Sequence, residues 1–204
     1  MDTSKMTSRD VQAAERREQI LNISKKLFLK NGYHATSMRN INKEVGLSEA
    51  LTYHYFPNGK LEIFKAVVES GHKKSMSQIQ TVIKKFQDHM PLKDALVIYG
   101  KNIHTIFADD ESVIPLVIRE RNLLDKSEYK FINDTTQKLI DTFVSYLNNL
   151  KIKPQLKTFN LRLGILQYTY NFTTSSIFGE SLFNDNYDEY INELADMTIK
   201  LWCK

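Results

Sequence analysis

The chain is poor in residues that bend, bridge or reach across a membrane. Its 204 residues include one cysteine, Cys203, beside the C-terminus. A single thiol builds no internal disulfide framework and no multi-thiolate zinc site, and it suits a reducing compartment. Glycine and proline number only 7 and 4, so turns should be few and the helices between them long. No apolar run approaches the ~20 residues that span a bilayer. The opening M-D-T-S-K-M-T-S-R-D lacks the apolar centre of a signal peptide. A cytoplasmic location with no membrane partner is therefore expected. The loops that cradle phosphates or present a nucleophilic serine are missing: there is no Walker-type loop, no G-x-G-x-x-G and no G-x-S-x-G. His34, His54, His72, His89 and His104 never pair at i, i+4. The expectation is a non-enzyme with no metal and no cofactor. Asp109-Asp110-Glu111 reads as a solvated helix connection rather than a cation site.

Charge is modest but located. Residues 1–60 hold 10 Lys and Arg against 6 Asp and Glu, whereas residues 61–204 carry 18 of each sign. The whole net charge of +4 thus falls in the first 60 residues, as suits a surface that meets phosphates.

That same end holds T-S-M-R-N-I-N-K-E-V-G-L-S-E-A-L-T-Y-H-Y-F, from Thr36 to Phe56. Thr36 or Ser37 can cap a first helix, whose Met38, Ile41 and Val45 share one apolar face. Gly46 follows where a left-handed backbone is wanted, and Leu47 plugs the corner. Ser48 caps a second helix carrying the i, i+4 pairs Leu51–Tyr55 and Thr52–Phe56. This is a helix-turn-helix, which places its second helix in a DNA major groove.

With G-L-S-E-A-L-T-Y-H-Y-F-P-N-G-K-L-E-I-F, the preceding helix closing on Gly32-Tyr33 and the Lys60–Phe64 opening of the next helix, the region from Glu18 to Val68 resembles the TetR family of bacterial transcription regulators. The resemblance implies an all-α fold: a three-helix DNA-binding head over residues 1–57 and a helical effector-binding and dimerisation body over residues 58–204. It implies a ligand-responsive regulator, a repressor, that binds a near-palindromic double-stranded operator as a homodimer and is released by a small-molecule effector. Three departures stand out. Asn42 and Thr52 replace the family's usual alanine and leucine at facing positions between the two helices, and one residue is inserted before Lys60. Buried polar groups demand partners, so Asn42 and Thr52 read either as hydrogen-bonded to each other or as two independent, half-exposed polar residues.

At the DNA, Arg39 can donate two hydrogen bonds to guanine, Glu49 can accept from a cytosine amine, and Ala50 and Leu51 can meet a thymine methyl. Thr36 and Ser37 at a helix N-terminus can donate to phosphate. Tyr53, His54, Tyr55 and Lys60 resemble the family's phosphate clamp, which sets register without reading sequence. Tyr55 reads equally as core, and Phe56 as core outright.

Beyond the head, the first dozen residues should fray. Helices are expected to Asn31, from Gly59 to about Phe86 with Gly71 as a weak point, from Pro91 to Ala108, from Ser112 to Leu124, from Lys126 to Leu150, from Pro154 to Phe178, and from Tyr187 to Trp202. The resemblance assigns the last two to a dimer interface. Candidates for lining an effector pocket are Tyr99, His104, Phe107, Arg119, Glu120, Tyr129, Tyr168, Asn171 and Phe172, each also readable as core or surface charge. Two rival classes fit the composition: a helical regulator acting through a protein partner, and a small-molecule-binding α-bundle without sequence-specific DNA binding.

Overall fold

The computed structural model describes residues 7–87, 89–108, 112–150, 155–178 and 186–204. Among these the fold is all-α, with helices α1 (Ser8–Asn31), α2 (Met38–Val45), α3 (Glu49–Tyr55), α4 (Lys60–Ile83), α5 (Leu92–Ala108), α6 (Ile114–Arg119), α7 (Lys126–Asn149), α8 (Leu161–Phe178) and α9 (Tyr187–Trp202). None of them is long and apolar enough to cross a membrane.

The head forms around α1. Its buried face is Ile20, Leu21, Ser24 and Phe28, and Phe28 meets Phe64 of α4 edge-on with ring centres 5.9 Å apart. Burying an aromatic ring of this size contributes about 1.5–3 kcal/mol. The helix starts at Ser8, earlier than the expected frayed stretch allows. Thr7 and Asp10 close a reciprocal capping box, with Thr7 N–H donating to the Asp10 carboxylate at 2.9 Å and Asp10 N–H to the Thr7 hydroxyl at 3.2 Å, which satisfies first-turn amides that would otherwise lack partners and favours this early start.

The body stacks α4, α5, α7, α8 and α9 about a core of Tyr99, Phe143, Tyr168 and Phe172. α4 runs unbroken through Gly71. A Cβ built there would lie 2.1 Å from a Val113 methyl, so the missing side chain lets α4 touch the start of α6. The expected single helix from Ser112 to Leu124 is broken at Glu120 into α6 and a 3-10 turn, Arg121–Leu123. Residues 155–160 are not helical either. Lys157 N–H donates to Trp202 carbonyl at 2.7 Å and Lys204 N–H to Gln155 carbonyl at 2.9 Å, a two-rung pairing that ties the chain's end to the approach to α8. Asp109-Asp110-Glu111 and Pro154 lie outside the described residues.

The large apolar side chains of α9 do not all face one way. Ile191, Ala195, Thr198 and Trp202 turn inward, whereas Met197 and Leu201 are 59% and 65% exposed. On α8, Leu163 and Tyr170 are likewise 60% and 56% exposed. Trp202 is inside the subunit, against Phe159, and not at an outer contact.

Candidate nucleic-acid interface

Local chemistry builds the two short helices. Ser37 caps α2, its hydroxyl oxygen accepting from Asn40 N–H at 3.1 Å. Ile41 and Val45 are buried below. Gly46 adopts φ 75°, ψ 32°, and the N–H groups of Gly46 and Leu47 both donate to Asn42 carbonyl. Only a residue without Cβ takes that left-handed corner at no cost. Ser48 then caps α3, accepting from Leu51 N–H at 3.3 Å. Thr52 and Phe56 are fully buried and hold α3 down. Arg17 of α1 lies over the Phe56 ring at 4.8 Å, a cation–π contact the sequence pattern did not indicate.

With that side buried, Glu49, Ala50, Leu51, Tyr53 and His54 face solvent, as does Arg39 on α2. Leu51 and Tyr53 are each 39% exposed. Tyr55 is half-buried and borders a cleft against Arg9, Gln12 and Arg16 of α1. The solvent side of α2 and α3 thus gathers a guanidinium, a carboxylate, small apolar groups, a phenol and an imidazole, the set that can address base edges and phosphates.

Three expectations fail here. Thr36 is fully buried, and its hydroxyl donates to Gly32 carbonyl at 2.8 Å; it staples the turn before α2 and has no hydroxyl to offer a phosphate. Lys60 points inward. Its ammonium donates to the carbonyls of Thr36 at 2.8 Å and Tyr33 at 3.0 Å and lies 4.1 Å above the Tyr33 ring, so two of its three N–H groups are spent on the head itself. Burial draws the Lys60 ammonium below its usual range, and the Glu120 carboxylate acts in the opposite sense. Third, Asn42 and Thr52 do not bond to each other. The Thr52 hydroxyl donates to Ser48 carbonyl one turn back at 3.3 Å, and Asn42 Oδ1 is buried with no partner. Ser37 is exposed, although its hydroxyl is shared with the Asn40 side chain.

The pocket candidates separate into three groups. Tyr99, Phe107, Tyr168 and Phe172 are core. Tyr99 stacks on Phe143 at 4.3 Å, its hydroxyl shares a 3.0 Å hydrogen bond with Thr169, and Tyr168 hydroxyl donates to Leu96 carbonyl. Burial pushes both phenols well above their ordinary range. His104 stands 3.7 Å from the Tyr187 ring, Asn171 donates to Gln167 carbonyl on its own helix, and Tyr129 is exposed on α7. Arg119 and Glu120 leave the body altogether and meet the end of α1. A cleft of about 500 Å³ opens elsewhere, between α1, α4 and α7, where Arg17, Lys65, Glu69, His72 and Glu128 line it. The expected list does not describe that cleft.

Residues 20–67 match the family described as bacterial regulatory proteins, tetR family. The chain is 45% identical over 67 residues to the uncharacterized HTH-type transcriptional regulator YxaF of Bacillus subtilis, covering 32% of this chain and 33% of that one. It is 28% identical over 87 residues to the HTH-type transcriptional regulator UidR of Escherichia coli K12, covering 42% and 44%. The chain therefore matches less than half the length of either relative, and both are named as regulators rather than enzymes. A protein from Saccharomonospora viridis, solved in complex with choline, superposes with a TM-score of 0.72 over 92% of this chain and 96% of its own, at 15% identity. That likeness extends the shared fold to the body.

Proposed function

This chain belongs to the TetR family of bacterial regulatory proteins through the domain at residues 20–67, and on that premise we propose that it is a ligand-responsive transcription repressor. Its head, residues 1–57, binds one half of a near-palindromic operator; its body, residues 58–204, forms a homodimer and takes up a small-molecule effector. The observation that carries this reading is the solvent side of α3. Glu49, Ala50, Leu51, Tyr53 and His54 present surface to solvent, while Thr52 and Phe56 anchor the helix beneath them. Arg39 and Glu49 read bases, Ala50 and Leu51 meet thymine methyls, and Ser37, Tyr53, His54 and Tyr55 contact phosphate.

Exposed Leu163, Tyr170, Met197 and Leu201 on α8 and α9 support a second copy as the occupant of that face, since apolar groups clustered in water mark an interface. Two heads in one dimer address half-sites about one helical turn apart or a multiple of it. The effector acts by binding the DNA-incompatible arrangement more tightly; equal affinity would shift nothing.

Selection from a genomic DNA pool at two salt concentrations tests the proposal. Enrichment of one palindrome, with affinity falling as salt rises, is the expected result. Retention of DNA without any preferred sequence would refute it.

A further inference from the structure

Residues Gly32 to Ser37 join α1 to α2 and set the direction from which the helix-turn-helix departs. This turn is held from two sides. From α4, Lys60 donates to the carbonyls of Tyr33 and Thr36. From the body, the end of α6 reaches across. Arg119 Nη2 donates to Phe28 carbonyl at 2.9 Å, and Glu120 Oε1 accepts from Tyr33 N–H at 3.3 Å. The two side chains also pair with each other, Arg119 Nε to Glu120 Oε1 at 3.3 Å.

The chemistry of the contact is specific. A guanidinium at a helix C-terminus meets the negative end of the backbone dipole, and Phe28 carbonyl takes it as a second donor beside Gly32 N–H. The Glu120 side chain is only 9% exposed although it carries a carboxylate, and a buried charge is retained where hydrogen bonds compensate it. His34 Nε2 lies 3.6 Å from the other carboxylate oxygen. At its other face, α6 is buried through Ile114, Leu116 and Val117 and packs on α5 and α8. An unbroken line of contact therefore runs from the body's core through six residues of α6 to the backbone just before α2.

We propose that Arg119 and Glu120 are positioning residues that fix the tilt of the DNA-binding head on the body, a grip separate from the continuous α4. This rests on the function proposed above and adds a second route by which the body's state reaches the DNA. When α6 shifts with α5 and α8, Tyr33 N–H loses its acceptor, Phe28 carbonyl loses the guanidinium, and the head swings. With α6 in place, the two heads of a dimer keep one spacing.

The test has two arms, and the first needs no DNA. In Glu120→Ala, amide exchange at Tyr33 should accelerate about tenfold or more, with Gly46, Leu47 and Phe56 amides unchanged. Glu120→Gln retains an acceptor oxygen and should keep Tyr33 slow. In the second arm, operators are lengthened or shortened by one base pair between half-sites. The native protein should discriminate sharply, and Glu120→Ala should bind all spacings within about threefold while its affinity for an isolated half-site is unaltered. Arg119→Ala, whose side chain is 50% exposed, keeps the test decisive if Glu120→Ala does not fold, and should show the same flattening to a lesser degree. Tyr33 protection that survives Glu120→Ala, or sharp discrimination among operator spacings that survives Arg119→Ala where only that variant folds, would overturn the proposal. So would an equal loss of half-site and palindrome binding. If the native protein selects no palindrome, the function fails while the exchange arm still judges the grip.

Discussion

Replacing Asn42 by alanine should stabilise the protein, although it deletes a buried side chain. Asn42 is 8% exposed in the middle of α2, and its Oδ1 has no hydrogen-bond partner. An acceptor buried in that condition costs about 1–3 kcal/mol relative to one left in water. Asparagine is also less favourable than alanine inside a helix by about 0.5 kcal/mol. Against these stand the contacts of the lost amide, which at this size offset about 1 kcal/mol of the gain. The balance is a stabilisation of about 1 kcal/mol, which for a chain of this length raises Tm by about 2–4 °C. Thermal unfolding followed by circular dichroism, repeated in urea to read the midpoint, measures it directly. The companion cycle with Thr52→Leu should show coupling under about 0.5 kcal/mol, because the Thr52 hydroxyl spends its proton on Ser48 carbonyl. A Tm that falls, or coupling above about 1 kcal/mol, would refute the reasoning and restore a direct Asn42–Thr52 bond.

Gly71→Ala should destabilise by about 1–3 kcal/mol through overpacking against Val113; a glycine that merely weakened its helix would instead give a more stable alanine variant in the same melt. Lys60→Ala should destabilise by about 1 kcal/mol and lower Tm, because Thr36 carbonyl loses the ammonium and Tyr33 carbonyl keeps only Thr36 N–H; a variant with native Tm and only a shallower salt dependence of DNA binding would return Lys60 to the phosphate clamp. Arg39→Ala should cost about 1–3 kcal/mol of discrimination at one base position, read by competition among single-substitution operators, and a uniform loss across all of them would make Arg39 a phosphate contact. Met197→Glu with Leu201→Glu should give monomers in sedimentation with native helicity, whereas Trp202 emission should not change on dilution, since the ring is buried within its own subunit; dimers that persist would move the interface away from α9.

How much of this could be read from the residues follows the range of the interactions involved. The helix-turn-helix is set by contacts spanning three or four positions: the Ser37 and Ser48 caps, the corner at Gly46 and the i, i+4 pairs. Such signals are carried by spacing alone, and the elements appeared where spacing put them. Tyr187–Trp202 and Lys126–Asn149 were legible for the same reason. Lys60 was misjudged because its partners lie 24 and 27 positions upstream. Arg119 and Glu120 were assigned to a pocket because their partners, Phe28 and Tyr33, are 91 and 87 positions away. Thr36 offered an apparent cap in sequence, yet its neighbour Ser37 took that place and Thr36 turned inward. The body's aromatics could be recognised as apolar, but nothing local separates a residue that lines a space from one that fills it.

The pairing of residues 155–157 with the chain's end has a geometric consequence for assembly. Lys157 ammonium also donates to the carbonyls of Lys200 and Leu201 at 3.0 and 3.2 Å, so the last turn of α9 is pinned against rolling about its own axis. Met197 and Leu201 consequently point along one fixed bearing, and a partner must come to them from that quarter. In the homodimer proposed above, the bearing of Met197 and Leu201 is thus constrained by a lysine on the approach to α8.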